Sequence, residues 1–274
     1  RQRQMCIRDR NHPHIVTVYD AGLTDDGAYI AMELLKGRDL RLLRQEGWRP
    51  TPQQAALIVR RVADALAYAH SRGVVHRDIK PANIFMVART QPRVLDFGIA
   101  SVAHRHEVSA LEGSGAVGME WVAGSPHYMS PEQVRSQATD KRTDVFSLGV
   151  VLYELLTDQK PFTGQTVSEV TDAVLTHEPP LAHEIDATVP PALSEVVRKA
   201  LQKDPAARYT SVRQMARDLR QWLEEQTSTS EPTEDVAASS AARPPRWGLP
   251  LAMAAGAVAV LTVWAVLGLS LIHI

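Results

Sequence analysis

The sequence contains a single cysteine, Cys6, among 274 residues, so no disulfide can form within the chain. It also lacks an excess of either charge, because 30 basic and 31 acidic side chains give a net charge of −1. Nucleic-acid-binding domains usually carry a basic excess, so we expect no nucleic-acid partner. The apolar fraction of 45% and the charged fraction of 22% are typical of a globular protein. The length accommodates one large domain with appendages, and the near absence of cysteine fits a reducing compartment.

The two ends do not continue the patterns of their neighbours. Residues 1–10 are RQRQMCIRDR and residues 269–274 are LSLIHI, and both can be encoded by the complementary strands of one DNA element. That element resembles the adapter of transposase-based sequencing libraries; two unrelated natural tails are the alternative. We set both ends apart from the fold and expect a natural sequence that is cut at each junction.

Short strands are predicted first, and helices dominate afterwards. Residues 14–20 and 28–34 have strand character around the turn at residues 25–27. A helix begins at Thr51-Pro52, with Thr51 as its N-cap, and ends at Gly73. One face of this helix is apolar at helical spacing and comprises Ile58, Val62, Ala65, Leu66 and Ala69.

The second half of the chain alternates between irregular and helical segments. Residues 74–75 and 93–95 are short apolar runs that we interpret as small strands. Residues 99–129 show no sustained period, as is usual for a functional loop. Residues 145–156 are apolar almost all round, which predicts a buried helix. Three amphipathic helices are predicted after it, at residues 167–176, 192–202 and 212–225.

The C-terminal part has the composition of a linker followed by a membrane span. Residues 227–246 are rich in Ser, Thr, Glu, Ala and Pro, which predicts a disordered juxtamembrane linker. Residues 247–268 are uncharged and overwhelmingly apolar, long enough for one transmembrane helix; a buried core helix is the alternative. Arg243 and Arg246 precede this segment, so we expect the preceding domain on the cytoplasmic face of the plasma membrane, as in a single-pass protein.

The most informative motif is His76-Arg77-Asp78-Ile79-Lys80-Pro81-Ala82-Asn83. Phosphoryl transfer requires an aligned nucleophile, held metal ions and neutralised charge, and this segment supplies residue types for each. It resembles the catalytic loop of protein kinases, in the form with lysine that Ser/Thr kinases have. The resemblance implies that Asp78 is the catalytic acceptor of the substrate hydroxyl proton, that Lys80 neutralises γ-phosphate charge, and that Asn83 binds Mg²⁺.

Two further motifs follow in the order that this family has. Asp96-Phe97-Gly98 resembles the family's D-F-G, which implies that Asp96 holds Mg²⁺ at the ATP phosphates. Ser130-Pro131-Glu132 resembles A-P-E with Ser in place of Ala. The resemblance implies two structural supports: an ion pair between Glu132 and Arg208, and a contact of Asp144 with the catalytic-loop backbone.

Residues 29–35 resemble the strand that leads into the kinase hinge. The resemblance implies that Met32 is the gatekeeper beside adenine and that the backbone of Glu33 and Leu35 bonds the adenine edge. It further implies that Asp39 reaches the ribose and Phe85 forms the floor of the adenine pocket. Ordinary strand and core packing is the alternative for each of these residues.

The segment from Asp96 to Glu132 corresponds to the activation segment of this family. Gly124-Ser125-Pro126-His127-Tyr128 resembles the substrate platform, which implies that Ser125 contacts Asp78 and Lys80. Arg77 is expected to pair with a phosphate on this segment. The candidate acceptors for autophosphorylation are Ser109 and Ser114, and ordinary solvated serines are the alternative.

The combined prediction is an α+β protein kinase-like fold, a mainly helical C-lobe with a remnant of the β N-lobe, in residues 11–226. The Gly-rich loop, the third-strand lysine and the helix glutamate of the family are not found, so we expect this polypeptide itself to be inert. The parent resembles the bacterial receptor-type (Hanks-type) Ser/Thr kinases that use ATP and Mg²⁺ on protein substrates, with a homodimer as an option for autophosphorylation. A membrane-bound pseudokinase scaffold and a small-molecule kinase are the alternatives.

Overall fold

The computed structural model describes residues 12–24, 27–88, 90–97 and 126–229. All of them belong to the first of two units into which the chain divides, Arg1–Pro232. The predicted linker at 227–246 lies almost wholly outside the described residues, and the predicted span at 247–268 lies entirely outside them. Within the described part of the chain, no helix is both long and apolar enough to cross a membrane.

Within the described ranges, five strands form two antiparallel sheets. The first sheet is a hairpin of β1 (Val18–Thr24) and β2 (Gly27–Met32). The second sheet has the order β3 (Arg38–Asp39), β4 (Ile84–Ala88) and β5 (Gln91–Val94). The predicted first strand is therefore wrong in its first half, since residues 14–16 pair with β5: Val16 N–H donates to the Val94 carbonyl, and Ile15 forms a parallel bridge with Val94.

Eight α-helices lie within the described ranges. They are α1 (Leu40–Gln45), α2 (Pro52–His70), α3 (Pro131–Val134), α4 (Arg142–Thr157), α5 (Val167–Thr176), α6 (Ala182–Ile185), α7 (Pro191–Ala200) and α8 (Val212–Thr229). Two short 3₁₀ helices, Pro81–Asn83 and Pro126–Tyr128, complete the regular structure there. The mixture of helix and strand confirms the predicted α+β class.

The N-terminus of α2 is determined by local chemistry. Gln54 N–H donates to the Thr51 hydroxyl at 3.3 Å, and Gln54 Oε1 accepts from the Thr51 N–H at 3.0 Å. This reciprocal capping box, with Pro52 in the first turn, confirms the predicted start of the helix. Every apolar residue predicted for one face of α2 is buried, and that face packs against α4 and α8.

Helix α4 is the centre of the core. All of its residues from Thr143 to Thr157 are buried, which confirms the prediction of a helix apolar on all sides. Gly149 brings α4 close to α7, because a Cβ at this position would lie 2.7 Å from the Ala200 Cβ. The four helices α2, α4, α7 and α8 thus form the framework that carries the loop after α2.

One further prediction needs correction, and one helix was missed. Residues 74–75 form no strand: Val74 N–H donates to the Ala69 carbonyl at the end of α2, and the chain continues as an extended loop. The short helix α1 was not predicted, although Asp39 caps it by accepting from the Leu42 N–H at 2.9 Å. Helix α5 has the predicted bounds, and α7 and α8 match their predictions within a few residues.

Candidate active site

Three polar side chains meet in the loop between α2 and β4. Lys80 Nζ lies 2.8 Å from Asp78 Oδ2, and Asn83 Nδ2 donates to the same oxygen at 3.0 Å. Asn83 Nδ2 also donates to the Asp78 backbone carbonyl at 2.8 Å. Because the Asn83 nitrogen is committed to Asp78, its side-chain oxygen is the atom left to accept a cation or donor. The structure therefore places Asp78, Lys80 and Asn83 in one cluster.

Asp144 lies beneath this cluster and organises its backbone. Its carboxylate is fully buried and accepts from the His76 N–H at 2.9 Å and the Arg77 N–H at 2.8 Å. His70 Nε2, at the end of α2, lies 2.7 Å from the oxygen that bonds His76. A carboxylate without partners would be very unfavourable at this depth, so these hydrogen bonds fix the position of the loop relative to α4.

Two site residues have left-handed backbone conformations. Arg77 has φ of 67° and Asp96 has φ of 57°. Such values are uncommon for residues other than glycine and persist only where the surrounding contacts maintain them. The Arg77 side chain donates from Nε to the Thr139 hydroxyl at 3.0 Å, and its backbone N–H is bound by Asp144. Strain of this kind is typical of functional loops.

His76 connects the predicted catalytic loop to the segment that carries Asp96. The Asp78 N–H donates to His76 Nδ1 at 3.2 Å, and His76 Nε2 lies 2.8 Å from the Leu95 carbonyl. Since Nδ1 accepts, the ring carries its proton on Nε2 and donates to Leu95. The ring also packs edge-on against Phe97, with 4.8 Å between centroids. Asp96, between Leu95 and Phe97, is exposed.

The residues predicted for the adenine side lie along the end of β2 and the start of β3. Met32 is 39% exposed at the end of β2. The Glu33 N–H donates to the Thr17 carbonyl and Glu33 Oε1 accepts from the Thr17 N–H, each at 2.9 Å. The Glu33 carbonyl is thus the one backbone group of this residue left for an adenine edge. The backbone of Leu35 forms no hydrogen bond within the described residues.

The carboxylate of Asp39 already has a structural partner, because it caps α1. Its predicted ribose contact stays a prediction. Phe85 is half-buried in β4, where it pairs with Asp39 of β3. The structure therefore brings both residues to the same sheet, next to the 3₁₀ helix that carries Asn83.

Glu132 and Arg208 form a buried bidentate ion pair. Both Nη–Oε distances are 2.8 Å, and the two residues are 5% and 3% exposed. The remaining donors of Arg208 bond the carbonyls of Gln202, Lys203 and Arg142. Burial alone would raise the pKa of Glu132, but the bonds from Arg208 and from the Thr143 hydroxyl outweigh it and hold that pKa below its ordinary value.

A second buried network includes Tyr128, the last residue of the predicted substrate platform. The Tyr128 hydroxyl donates to Glu154 Oε2 at 2.5 Å, and Arg44 of α1 pairs with the other oxygen of Glu154. Burial, followed by the nearby Glu154 carboxylate, raises the pKa of Tyr128 far above its ordinary value. Asp158, at the end of α4, binds both Arg44 and Arg49. This network joins α1 to α4 and to Tyr128, near the end of the predicted activation segment.

Four predicted features lie outside the described residues: Gly98, Ser109, Ser114 and Ser125. Three residues of this site were not predicted: Gln133 and Thr139, which bond Arg77, and His70, which contacts the Asp144 carboxylate. Gln133 and Thr139 lie 56 and 62 residues from Arg77 along the chain, and His70 meets Asp144 across 74 residues, so no local signal indicated these contacts. No cluster of three or more potential metal ligands occurs among the described His, Cys, Asp and Glu residues.

Comparison with known proteins defines the class to which this site belongs. The family model described as "Protein kinase domain" matches residues 3–222, and the chain belongs to this family. The fold described above is thus a protein kinase fold. The match includes part of residues 1–10, whose origin in an adapter sequence stays a prediction.

Curated bacterial proteins show similarity over the same region. The serine/threonine-protein kinase pkn3 of Myxococcus xanthus is 38% identical over 226 residues, which is 80% of this chain and 41% of that protein. PrkC of Bacillus subtilis is 37% identical over 80% of this chain and 33% of its own length. PknB of Mycobacterium leprae is 40% identical over 76% of this chain and 33% of its length. The chain thus spans well under half the length of these relatives.

Proposed function

We propose that the protein containing this chain is a Ser/Thr protein kinase that transfers the γ-phosphate of ATP to Ser or Thr side chains of proteins. The observation that carries the proposal is the cluster of Asp78, Lys80 and Asn83 on one loop. The bacterial relatives described above are named serine/threonine-protein kinases, which supports the same reaction.

The residues present fit an ATP–Mg²⁺ complex by their chemistry. Oxygen donors suit Mg²⁺, and the Asn83 side-chain oxygen and the exposed Asp96 carboxylate supply them. When bound, the metal ion neutralises charge on the phosphates. In this proposal Asp78 orients the acceptor hydroxyl and receives its proton, and Lys80 contributes positive charge beside it.

The proposal also includes the location of the protein in the membrane and its autophosphorylation. Residues 247–268 are apolar enough for one membrane span, and Arg243 and Arg246 favour a cytoplasmic kinase domain, so membrane-linked signalling follows. Homodimerisation with autophosphorylation at Ser109 or Ser114 belongs to the same proposal. A pseudokinase scaffold is less favoured, because each of the residues that the reaction needs in this lobe is present.

The test uses the protein encoded by the whole gene, incubated with radiolabelled ATP, Mg²⁺ and a generic protein acceptor. We expect phosphoserine or phosphothreonine in the products, and Asp78→Asn lowers the rate by about a hundredfold or more. The matched control is Asp172→Asn on the exposed side of α5, which keeps the wild-type rate. Incorporation that is equal in wild type and Asp78→Asn contradicts the proposal and favours the scaffold.

The gene itself offers a second test. A G-x-G-x-x-G strand pair and a lysine in V-A-x-K upstream of residue 11 support the enzyme, since these groups hold the nucleotide phosphates. A natural upstream sequence without them favours the scaffold.

A further inference from the structure

Gln133 in α3 contacts the backbone of the catalytic loop. Its Nε2 donates to the Arg77 carbonyl at 2.7 Å. Its Oε1 accepts from the Ser130 N–H at 3.0 Å and from the Ser130 hydroxyl at 3.2 Å. A carbonyl oxygen can only accept, so the amide must present its nitrogen to Arg77 and its oxygen to Ser130. One side chain therefore connects the Ser130-Pro131-Glu132 motif to the loop.

The peptide group that Gln133 binds is the one between Arg77 and Asp78. The N–H of the same peptide group belongs to Asp78 and donates to His76 Nδ1. His76 in turn donates to the Leu95 carbonyl, one residue before Asp96. A chain of hydrogen bonds thus runs from α3 through this peptide and the imidazole to the Asp96 segment. Hydrogen bonds linked in this way polarise and strengthen one another.

The orientation of this peptide group determines where the Asp78 side chain points. Arg77 has φ of 67°, and its N–H is already bound by Asp144. The remaining backbone freedom is rotation of the Arg77–Asp78 peptide plane, and such rotation would move the Asp78 Cα–Cβ bond. We propose that Gln133 is a positioning residue for the reaction: its Nε2–H fixes this peptide plane and, through it, the direction of the Asp78 carboxylate. The inference rests on the proposed function in that Asp78 is taken as the catalytic residue.

The substitution Gln133→Glu separates the two contacts. Glutamate keeps an oxygen for Ser130 but places a second oxygen against the Arg77 carbonyl, so the bond to the loop is lost. The matched control is Gln54→Glu, because Gln54 holds the same third position in α2 and accepts from the Thr51 N–H without contacting the loop. Gln133→Met removes both polar groups and adds no charge, which separates positioning from an effect of the new carboxylate.

In the full-length protein, we expect Gln133→Glu and Gln133→Met to lower kcat about tenfold, while KM for ATP and for the acceptor changes less than about twofold. Gln54→Glu keeps the wild-type kcat. Equal kcat in the Gln133 variants and the Gln54 control overturns the proposal. A fall in kcat that comes with a rise in KM and a lower melting temperature also overturns it, since that pattern indicates a general structural role.

A second readout uses the chain described above and requires no catalysis. In ¹H–¹⁵N spectra we expect Gln133→Glu to shift the Asp78 amide resonance and to speed its hydrogen exchange, because both bonds of that peptide group weaken together. Gln54→Glu leaves this resonance in place. An unchanged Asp78 amide in Gln133→Glu overturns the inference. A full-length protein that transfers no phosphate overturns the proposed function, and the amide measurement still decides whether Gln133 orients the peptide.

Discussion

Removal of one partner from the Glu132–Arg208 ion pair should strongly destabilise the domain. Glu132→Gln preserves the volume of the side chain but places an NH₂ group against a guanidinium whose other donors are committed to carbonyls. The charge of Arg208 is then buried without a counterion. Breaking a buried pair in this way costs about 3–5 kcal/mol, a large part of a typical free energy of unfolding. For a domain of this size the melting temperature falls by roughly 6–20 °C.

The measurement is urea unfolding of the chain, followed by tryptophan fluorescence, to which buried Trp222 contributes. The control is Glu195→Gln, because Glu195 forms an ion pair with Arg198 in which both side chains are about half exposed, at 54% and 52%. Exposed pairs contribute little, so the control changes the free energy of unfolding by less than about 1 kcal/mol. A Glu132→Gln effect no larger than that of the control refutes the reasoning.

The same pair predicts a pH dependence. The pKa of Glu132 is lower in the folded chain than its ordinary value of 4.5, so the unfolded chain binds a proton more readily. The stabilisation is therefore complete above pH 4.5 and is lost as the pH falls through the folded pKa. Glu132→Gln should remove this part of the acid dependence, and Glu195→Gln should retain it.

Two other substitutions probe buried polar groups. Tyr128→Phe removes the hydroxyl that donates to Glu154 and should lower the free energy of unfolding by about 1.5–3 kcal/mol in urea titrations; no change would show that Arg44 alone satisfies that carboxylate. The buried Nζ of Lys203 has no hydrogen-bond partner in the part of the chain that the structure describes, and burial lowers its pKa to about 8. Because the unfolded chain then binds the proton more tightly, the stability should rise from pH 8 towards 10.5, and Lys203→Met should abolish this rise; a rise of equal size in the variant would contradict the assignment.

Local signals explain most of the helices that could be predicted. Thr51 and Pro52 mark the start of α2 through a capping box that depends only on residues within one turn. Helix α4 was predictable because its residues are apolar on every side, as a helix in the centre of a core requires. In both cases the sequence contains the physical cause of the structure within a short window.

The strands were less predictable, because pairing depends on distant partners. Residues 14–16 have the composition of a strand continuous with β1, yet they pair with Val94, nearly eighty residues away. Residues 74–75 are apolar and β-branched but form no strand, since the backbone N–H groups that follow bind the Asp144 side chain. Tertiary contacts overrode local propensity at both places.

In the candidate site, too, the residues close together in the sequence were predictable and those brought in by distant contacts were not. The motifs indicated Asp78, Lys80 and Asn83, which lie within six residues of one another and meet in space. The role of Gln133 gave no such signal, because the residue is an ordinary third position of a short helix and its contact with Arg77 spans 56 residues. Only the folded chain brings this amide to the loop.

The position of Asp144 has a consequence for synthesis of the protein. During translation, Arg77 is synthesised 67 residues before Asp144, whose carboxylate binds the Arg77 N–H in the folded chain. Until then, the backbone groups of His76 and Arg77 have no carboxylate to bind, and the left-handed turn at Arg77 lacks the contact that maintains it. A nascent chain that ends before α4 therefore carries the whole catalytic motif without its geometry. The order of the chain thus delays the assembly of the site until most of the domain has been made.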